Sequence, residues 1–159
     1  MPRRCRVNPL NSPLEIGMRA LVLLAESHPE PLDLAQITLL DYALLHSGEF
    51  DGPPSLHPDL PARPGELGMK RGLLEQALLV LIRAELARLE PADDGLVYRA
   101  TERGPAFVEL LEAPYVERLR ERAEWAVHQY APGADVRAAT RALLNRPAET
   151  PLPPEVPRG

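Results

Sequence analysis

The sequence predicts a mainly α fold with a small β-hairpin: a winged helix-turn-helix domain followed by C-terminal helices. Three observations predict it. Three apolar segments of helical period come first, over residues 12–86. The period then changes, and two short runs of strand character flank a Pro/Asp/Gly turn. The chain has 159 residues, 45% of them apolar, which suits one hydrophobic core with appendages.

Helix one has a capping signature at its start. Ser12-Pro13-Leu14-Glu15 places serine at the N-cap, proline at the first helical position and glutamate three residues on. Leu14, Met18, Leu21, Leu24 and Ala25 follow at helical spacing, and His28-Pro29 stops the run. Residues 20–25 are apolar on nearly all sides, so this helix is expected to be central and covered on two faces. Helix two is expected from about Leu34 to His46, capped by Asp33 with Gln36 reaching back. Its predicted stripe is Ile37, Leu40, Leu44 and Leu45. Helix three is expected from Leu67 to Leu86, with Leu74, Leu78 and Leu81 on one face and Leu73, Val80 and Ile82 broadening it. So apolar a helix reads as buried. Ala87–Glu90 and Leu96–Ala100 are the predicted strands, joined by Pro91–Gly95. Thr101–Gly104 leads into a short helix with Phe107, Leu110 and Leu111. The step Tyr98–Gly104 resembles the wing exit of MarR- and PadR-type regulators, a likeness of fold that says little about function.

From Pro114 a second helical unit is expected. Val116, Leu119, Ala123, Ala126 and Tyr130 recur at 3, 4, 3, 4 spacing, a narrow seam flanked by charges. The seam could bind a partner helix, dimerise the chain or pack on its own domain. After Pro132-Gly133, Asp135 can cap a last helix carrying Val136, Ala139, Leu143 and Leu144. The expected organisation is an arm at 1–10, the winged-helix domain at 11–112 with a proline-rich insert at 48–66, a helical extension at 113–146 and a disordered proline-rich tail at 147–159.

Five prolines fall within residues 52–67, between helices two and three. Proline fixes φ and restricts the residue before it, so such a loop loses less entropy on ordering than a Gly/Ser loop. Leu56, Leu60 and Leu67 are apolar anchors, and Arg63 is the loop's only cation. The leucines are expected to cover the core, and the remainder to form a preorganised contact patch. Leu56, His57, Leu60, Arg63 and Glu66 are the candidate partner-binding residues.

Composition and spacing argue against several chemistries. The net charge of −5 gives no general attraction to phosphate. Lys70 is the only lysine; Lys70, Arg71 and Arg99 are the candidate nucleic-acid contacts, a thin set beside the acidic turn Asp93-Asp94. Direct DNA contact is therefore expected to be secondary. His46, Asp51, His57 and Asp59 match no closed zinc set, so no metal is expected. Gly65–Arg71 lacks Walker spacing, the acids scatter over polar faces, and Cys5 has no positioned base, so no enzyme, cofactor or small-molecule substrate is expected. His57-Pro58-Asp59 matches the J-domain tripeptide by chance, since residues 33–47 lack the basic charge that motif needs. A lone cysteine fits a reducing cytosol, the N-terminus lacks a signal-peptide core, and no apolar run is long enough to span a bilayer. A cytoplasmic location is the expectation.

Four stretches are distinctive together: NPLNSPLEIGMRALVLL (8–24), LDYALLHSGEF (40–50), SLHPDLPARPGEL (55–67) and GLLEQALLVLI (72–82). They resemble the small middle component of bacterial ABC-three-component conflict systems, to which Lamassu-type anti-phage systems are related. The resemblance covers roughly residues 8–130. It implies a winged-helix adaptor without catalysis of its own, which bridges an SMC-like ABC ATPase and an effector, often a nuclease. It transfers no catalytic residue. The rival expectation is a transcriptional regulator that dimerises through residues 114–146 and reads DNA with Lys70, Arg71 and Arg99.

Overall fold

The computed structural model describes residues 12–56 and 64–130, together with Ala138, Arg141 and Ala142; for residues 64–67 it describes the backbone. Its described elements are α1 (Pro13–Ser27), β1 (Leu32–Asp33), α2 (Leu34–Leu45), a 3-10 turn (Ser47–Phe50), α3 (Pro64–Arg83), β2 (Ala87–Ala92), β3 (Gly95–Ala100), α4 (Arg103–Glu109) and α5 (Pro114–Tyr130). The fold is mainly helical, with a small three-stranded antiparallel sheet.

Both expected helix starts are present. Ser12 Oγ accepts from the Glu15 amide at 3.2 Å, and Pro13 occupies the first turn of α1. At α2 the reciprocal box is complete: the Gln36 amide donates to Asp33 Oδ1 at 2.7 Å, and the Asp33 amide donates to Gln36 Oε1 at 2.8 Å. Each such cap contributes about 1 kcal/mol by satisfying amides that have no helical acceptor.

The core forms around α1, which packs against α2, α3, α4 and α5. Ile16 and the unbroken run Ala20–Leu24 are all buried, because neighbours cover several sides of this helix. α2 departs from its expected stripe. Leu39, Asp41, Tyr42 and Ala43 are buried along with Ile37, Leu40, Leu44 and Leu45, since α1, α3 and α5 all touch it. α5 turns Val116, Leu119, Ala123 and Ala126 onto α1 and α2.

The sheet order is β1-β3-β2. β2 and β3 pair from Ala87↔Ala100 to Ala92↔Gly95, so the hairpin closes on Asp93-Asp94 alone. The turn is thus tighter than the expected five residues, and Pro91 lies within β2. β2 is an edge strand, where proline's missing N–H is tolerated. β1 has only two residues, Leu32↔Tyr98 and Asp33↔Val97, too few to leave a period in the sequence. α4 follows β3 closely. A Cβ on Gly104 would lie 2.9 Å from the Leu86 carbonyl oxygen, so only glycine lets α4 approach there.

α3 begins at Pro64 rather than Leu67 and ends at Arg83. Its inner face is Leu74, Ala77, Leu78 and Leu81. The expectation that its apolar character means burial is corrected by Met69, Leu79 and Val80, which are exposed. In the region of the expected last helix, Ala138, Arg141 and Ala142 are helical; the rest of that segment, the arm and the tail lie outside the described residues.

Candidate partner-binding surface

The first half of the proline-rich insert is folded back onto α5. Ser47 Oγ donates to the Pro53 carbonyl at 2.7 Å, and the Gly52 amide donates to the Ser47 carbonyl at 3.0 Å. Asp51 closes this turn in the left-handed region at φ 58. Arg122 of α5 donates twice to the Pro54 carbonyl, from Nε at 3.2 Å and Nη2 at 3.0 Å. An aromatic chain continues the contact: Tyr42 meets Phe50 edge-on at 6.0 Å, Phe50 meets Tyr130 at 5.9 Å, and Tyr130 meets Trp125 at 6.1 Å. Gly52 lies under Trp125, where a Cβ would fall 2.4 Å from the ring. Trp125 is the only tryptophan in the chain, so its fluorescence reports this docking. Gly52→Ala is expected to displace the ring and red-shift its emission; an unshifted spectrum would mean that the turn does not bear on Trp125.

Leu56 closes the described part of the insert. Its amide donates to the Leu45 carbonyl at 3.1 Å, and its side chain packs half-buried on the core. Of the other candidate patch residues, His57, Leu60 and Arg63 lie outside the described residues. Glu66 lies on the first turns of α3, and its side chain is not described.

The candidate nucleic-acid contacts are only partly available. Lys70 Nζ lies 2.8 Å from Asp41 Oδ2 and over the Tyr42 ring at 5.6 Å, with its side chain 17% exposed. Arg99 Nε donates to Glu90 Oε2 at 3.1 Å, and its Nη1 donates to the Pro29 carbonyl. Arg71 is exposed. Along the seam, Val116, Leu119, Ala123 and Ala126 are buried within the chain and Tyr130 is half-buried.

The most buried charges were missed by sequence reasoning. Arg19 and Asp41 are both fully buried and paired, Nε to Oδ1 at 2.6 Å and Nη2 to Oδ2 at 3.4 Å. With Lys70 they join α1, α2 and α3. Burial alone would push the Asp41 carboxyl up, but the Lys70 and Arg19 charges and their hydrogen bonds outweigh it and hold it at about 2. Burial likewise opposes the Arg19 charge, and Asp41 more than offsets it, so the guanidinium is held above its ordinary value. The signal was present: one arginine and one aspartate, each inside an otherwise apolar helical run, must find each other or remain unpaired in the core.

Among the described residues, the large exposed apolar side chains fall on two pairs of elements: Met69, Leu79, Val80, Leu89 and Leu96 on α3 and the hairpin, and Leu14, Phe107 and Leu110 on α1 and beside α4. The first group has a clear geometry. Opposed residues share a sheet face, so Ala87, Leu89, Leu96, Tyr98 and Ala100 all lie on the core side. Exposure on that face rises along β2 and β3 from 2% at Ala87 to 42% at Leu89 and 59% at Leu96. The hairpin therefore overhangs the core. Arg71, Glu75 and Leu79 share one strip of α3 at i, i+4 spacing. Burial and the Glu75 carboxylate raise the Tyr98 phenol, and Arg71 opposes them. Asp93 and Asp94 form the exposed tip, and neither is in an ion pair among the described residues.

Among the described residues no group of three or more His, Cys, Asp or Glu is placed to hold a metal ion, and no helix is long and apolar enough to cross a membrane. One family model matches residues 9–144, that of the ABC-three component (ABC-3C) system Middle Component 2. No curated protein and no solved structure matches the chain.

Proposed function

Because the chain belongs to the Middle Component 2 family of ABC-three component systems, we propose that it is a non-catalytic winged-helix adaptor of an anti-phage complex of Lamassu type. In this reading it bridges an SMC-like ABC ATPase and an effector in the cytoplasm. Membership of a multi-component system implies partners within that system. The element order supports the winged-helix assignment: three helices, a hairpin after the third, and a short strand before the second that pairs with the hairpin.

One observation carries the adaptor role. α3 and the hairpin would face DNA in a helix-turn-helix reader, yet here they expose leucines and two aspartates, and of the three candidate contacts Lys70 and Arg99 are engaged within the chain and Arg71 is left exposed. A reader of DNA needs cations on that surface to release counterions from phosphate. A binder of protein needs apolar anchors.

The test is co-expression of the tagged full chain with the other subunits of its system. The expected result is a complex that survives size exclusion and has a defined mass by light scattering. Elution of the chain by itself, at every salt concentration tried, would refute the adaptor role. A salt-dependent mobility shift of duplex DNA by the purified chain would favour the regulator instead.

A further inference from the structure

We propose that the outward face of α3 pairs with the same face of a second copy of this chain, the two helices running antiparallel about a two-fold axis at Leu79. Glu75 of each copy then meets Arg83 of the other. The proposal goes beyond the adaptor reading and does not depend on it.

The face follows from spacing and exposure. Glu75, Leu79 and Arg83 recur at i, i+4 and i+8 along α3, so they form one strip of the helix. All three are exposed, as are their neighbours Gln76 and Val80. Leu79 and Val80 are 51% and 59% exposed, while Leu74 and Leu78 of the same helix lie in the core. Two adjacent apolar side chains therefore stand on the side of α3 that the chain leaves uncovered. Among the described residues no ion pair engages Glu75 or Arg83.

Charge decides the occupant. The acid and the base lie equally far from Leu79 and on opposite sides of it, four residues or about 6 Å along the axis. A strip so ordered is its own complement when reversed. A half-turn about Leu79 sets leucine on leucine and exchanges Glu75 with Arg83, which is the isologous contact of a two-fold dimer. A parallel copy would set like charges together. A phosphate backbone laid along the strip would meet the Glu75 carboxylate and be repelled there. Gly72 lies seven residues from Leu79, level with the turn that follows α3 in the other copy. A Cβ at Gly72 would meet nothing in its own chain, so the chain's own packing does not call for a residue that weakens a helix interior. A close approach from outside does.

The leucine and valine supply the affinity. The exposed ion pairs contribute little and fix the register. One helix face is smaller than the roughly 800 Å² per partner of a standard interface, so a micromolar dimer is expected.

The experiment is sedimentation of the purified full chain over the micromolar range, where the mass is expected to rise from one chain to two. Leu79→Glu is expected to weaken the dimer about 100-fold, the effect of losing a central apolar anchor. Glu75→Arg and Arg83→Glu are each expected to weaken it about tenfold, and more at low salt, because both contacts become repulsive. An equimolar mixture of these two variants is expected to restore the dimer, since every contact across it again joins an acid to a base. Leu110→Glu, an exposed leucine beside α4, is expected to dimerise as wild type. Thermal melts establish that each variant folds, and if Leu79→Glu does not, the charge variants decide.

Wild-type chain that stays monomeric throughout would overturn the dimer and leave the adaptor reading standing. The face would then belong to another polypeptide or to the chain's own residues beyond Tyr130. A dimer that folded Leu79→Glu leaves intact would overturn the proposed face. A mixture of the charge variants no tighter than either one by itself would overturn the antiparallel arrangement.

Discussion

Asp41→Asn is expected to lower stability by about 3–5 kcal/mol, the usual result of removing one partner from a buried ion pair. The substitution keeps the side chain's shape and removes its charge. Arg19 then loses its buried counter-charge and keeps the more distant Glu15, 3.8 Å away, beside Lys70. At about 2–4 °C per kcal/mol for a domain of this size, the melting temperature should fall by on the order of 10 °C. Lys70→Met should cost much less, because Arg19 keeps Asp41 and the lost ammonium already had some access to water. Equal melting temperatures for wild type and Asp41→Asn would mean that the triad does not hold α1, α2 and α3 together.

Acid titration gives the same interaction an independent measure. The folded Asp41 pKa, about 2, lies below its unfolded value near 3.8. A depressed carboxyl stabilises the fold above the unfolded pKa, and that stability is lost as pH falls through the folded one. The contribution is about 2 kcal/mol, present at pH 5 and above and lost between about pH 4 and pH 2. Other carboxylates titrate in both proteins, so the readout is the difference between them. The gap between wild type and Asp41→Asn should narrow over that interval.

Leu119→Ala is expected to cost about 2–5 kcal/mol, the transfer free energy of the lost atoms plus the cavity they leave. Leu119 is fully buried on the face of α5 that packs against α1 and α2. A seam that instead served a partner would show the opposite pattern, with an unchanged melt and a lost complex. Thermal melting of the isolated chain distinguishes the two.

The helices were legible where local chemistry dominates. Ser12-Pro13 and Asp33…Gln36 act within a single turn, and the structure has both caps where the residues put them. The hairpin was legible because strand period and turn residues are also local. What escaped depends on distant partners. β1 exists only because Leu32 and Asp33 meet Tyr98 and Val97. The insert's first half is ordered by Arg122 and Trp125, 68 or more positions along the chain from the residues they hold. α3 shows the limit most plainly: its apolar residues gave no sign of which would be covered, since Leu78 and Leu79 are identical in kind and opposite in exposure.

The placement of Lys70 also governs how this subunit can be mapped within a larger assembly. The only lysine in the chain has its amine held against a carboxylate between three helices. Cross-linking reagents that target primary amines would find almost nothing to react with on its surface, so silence in such an experiment would say nothing about proximity. Carbodiimide chemistry aimed at the 23 acidic side chains, with the hairpin tip among the most accessible, is the labelling strategy to which this molecule responds.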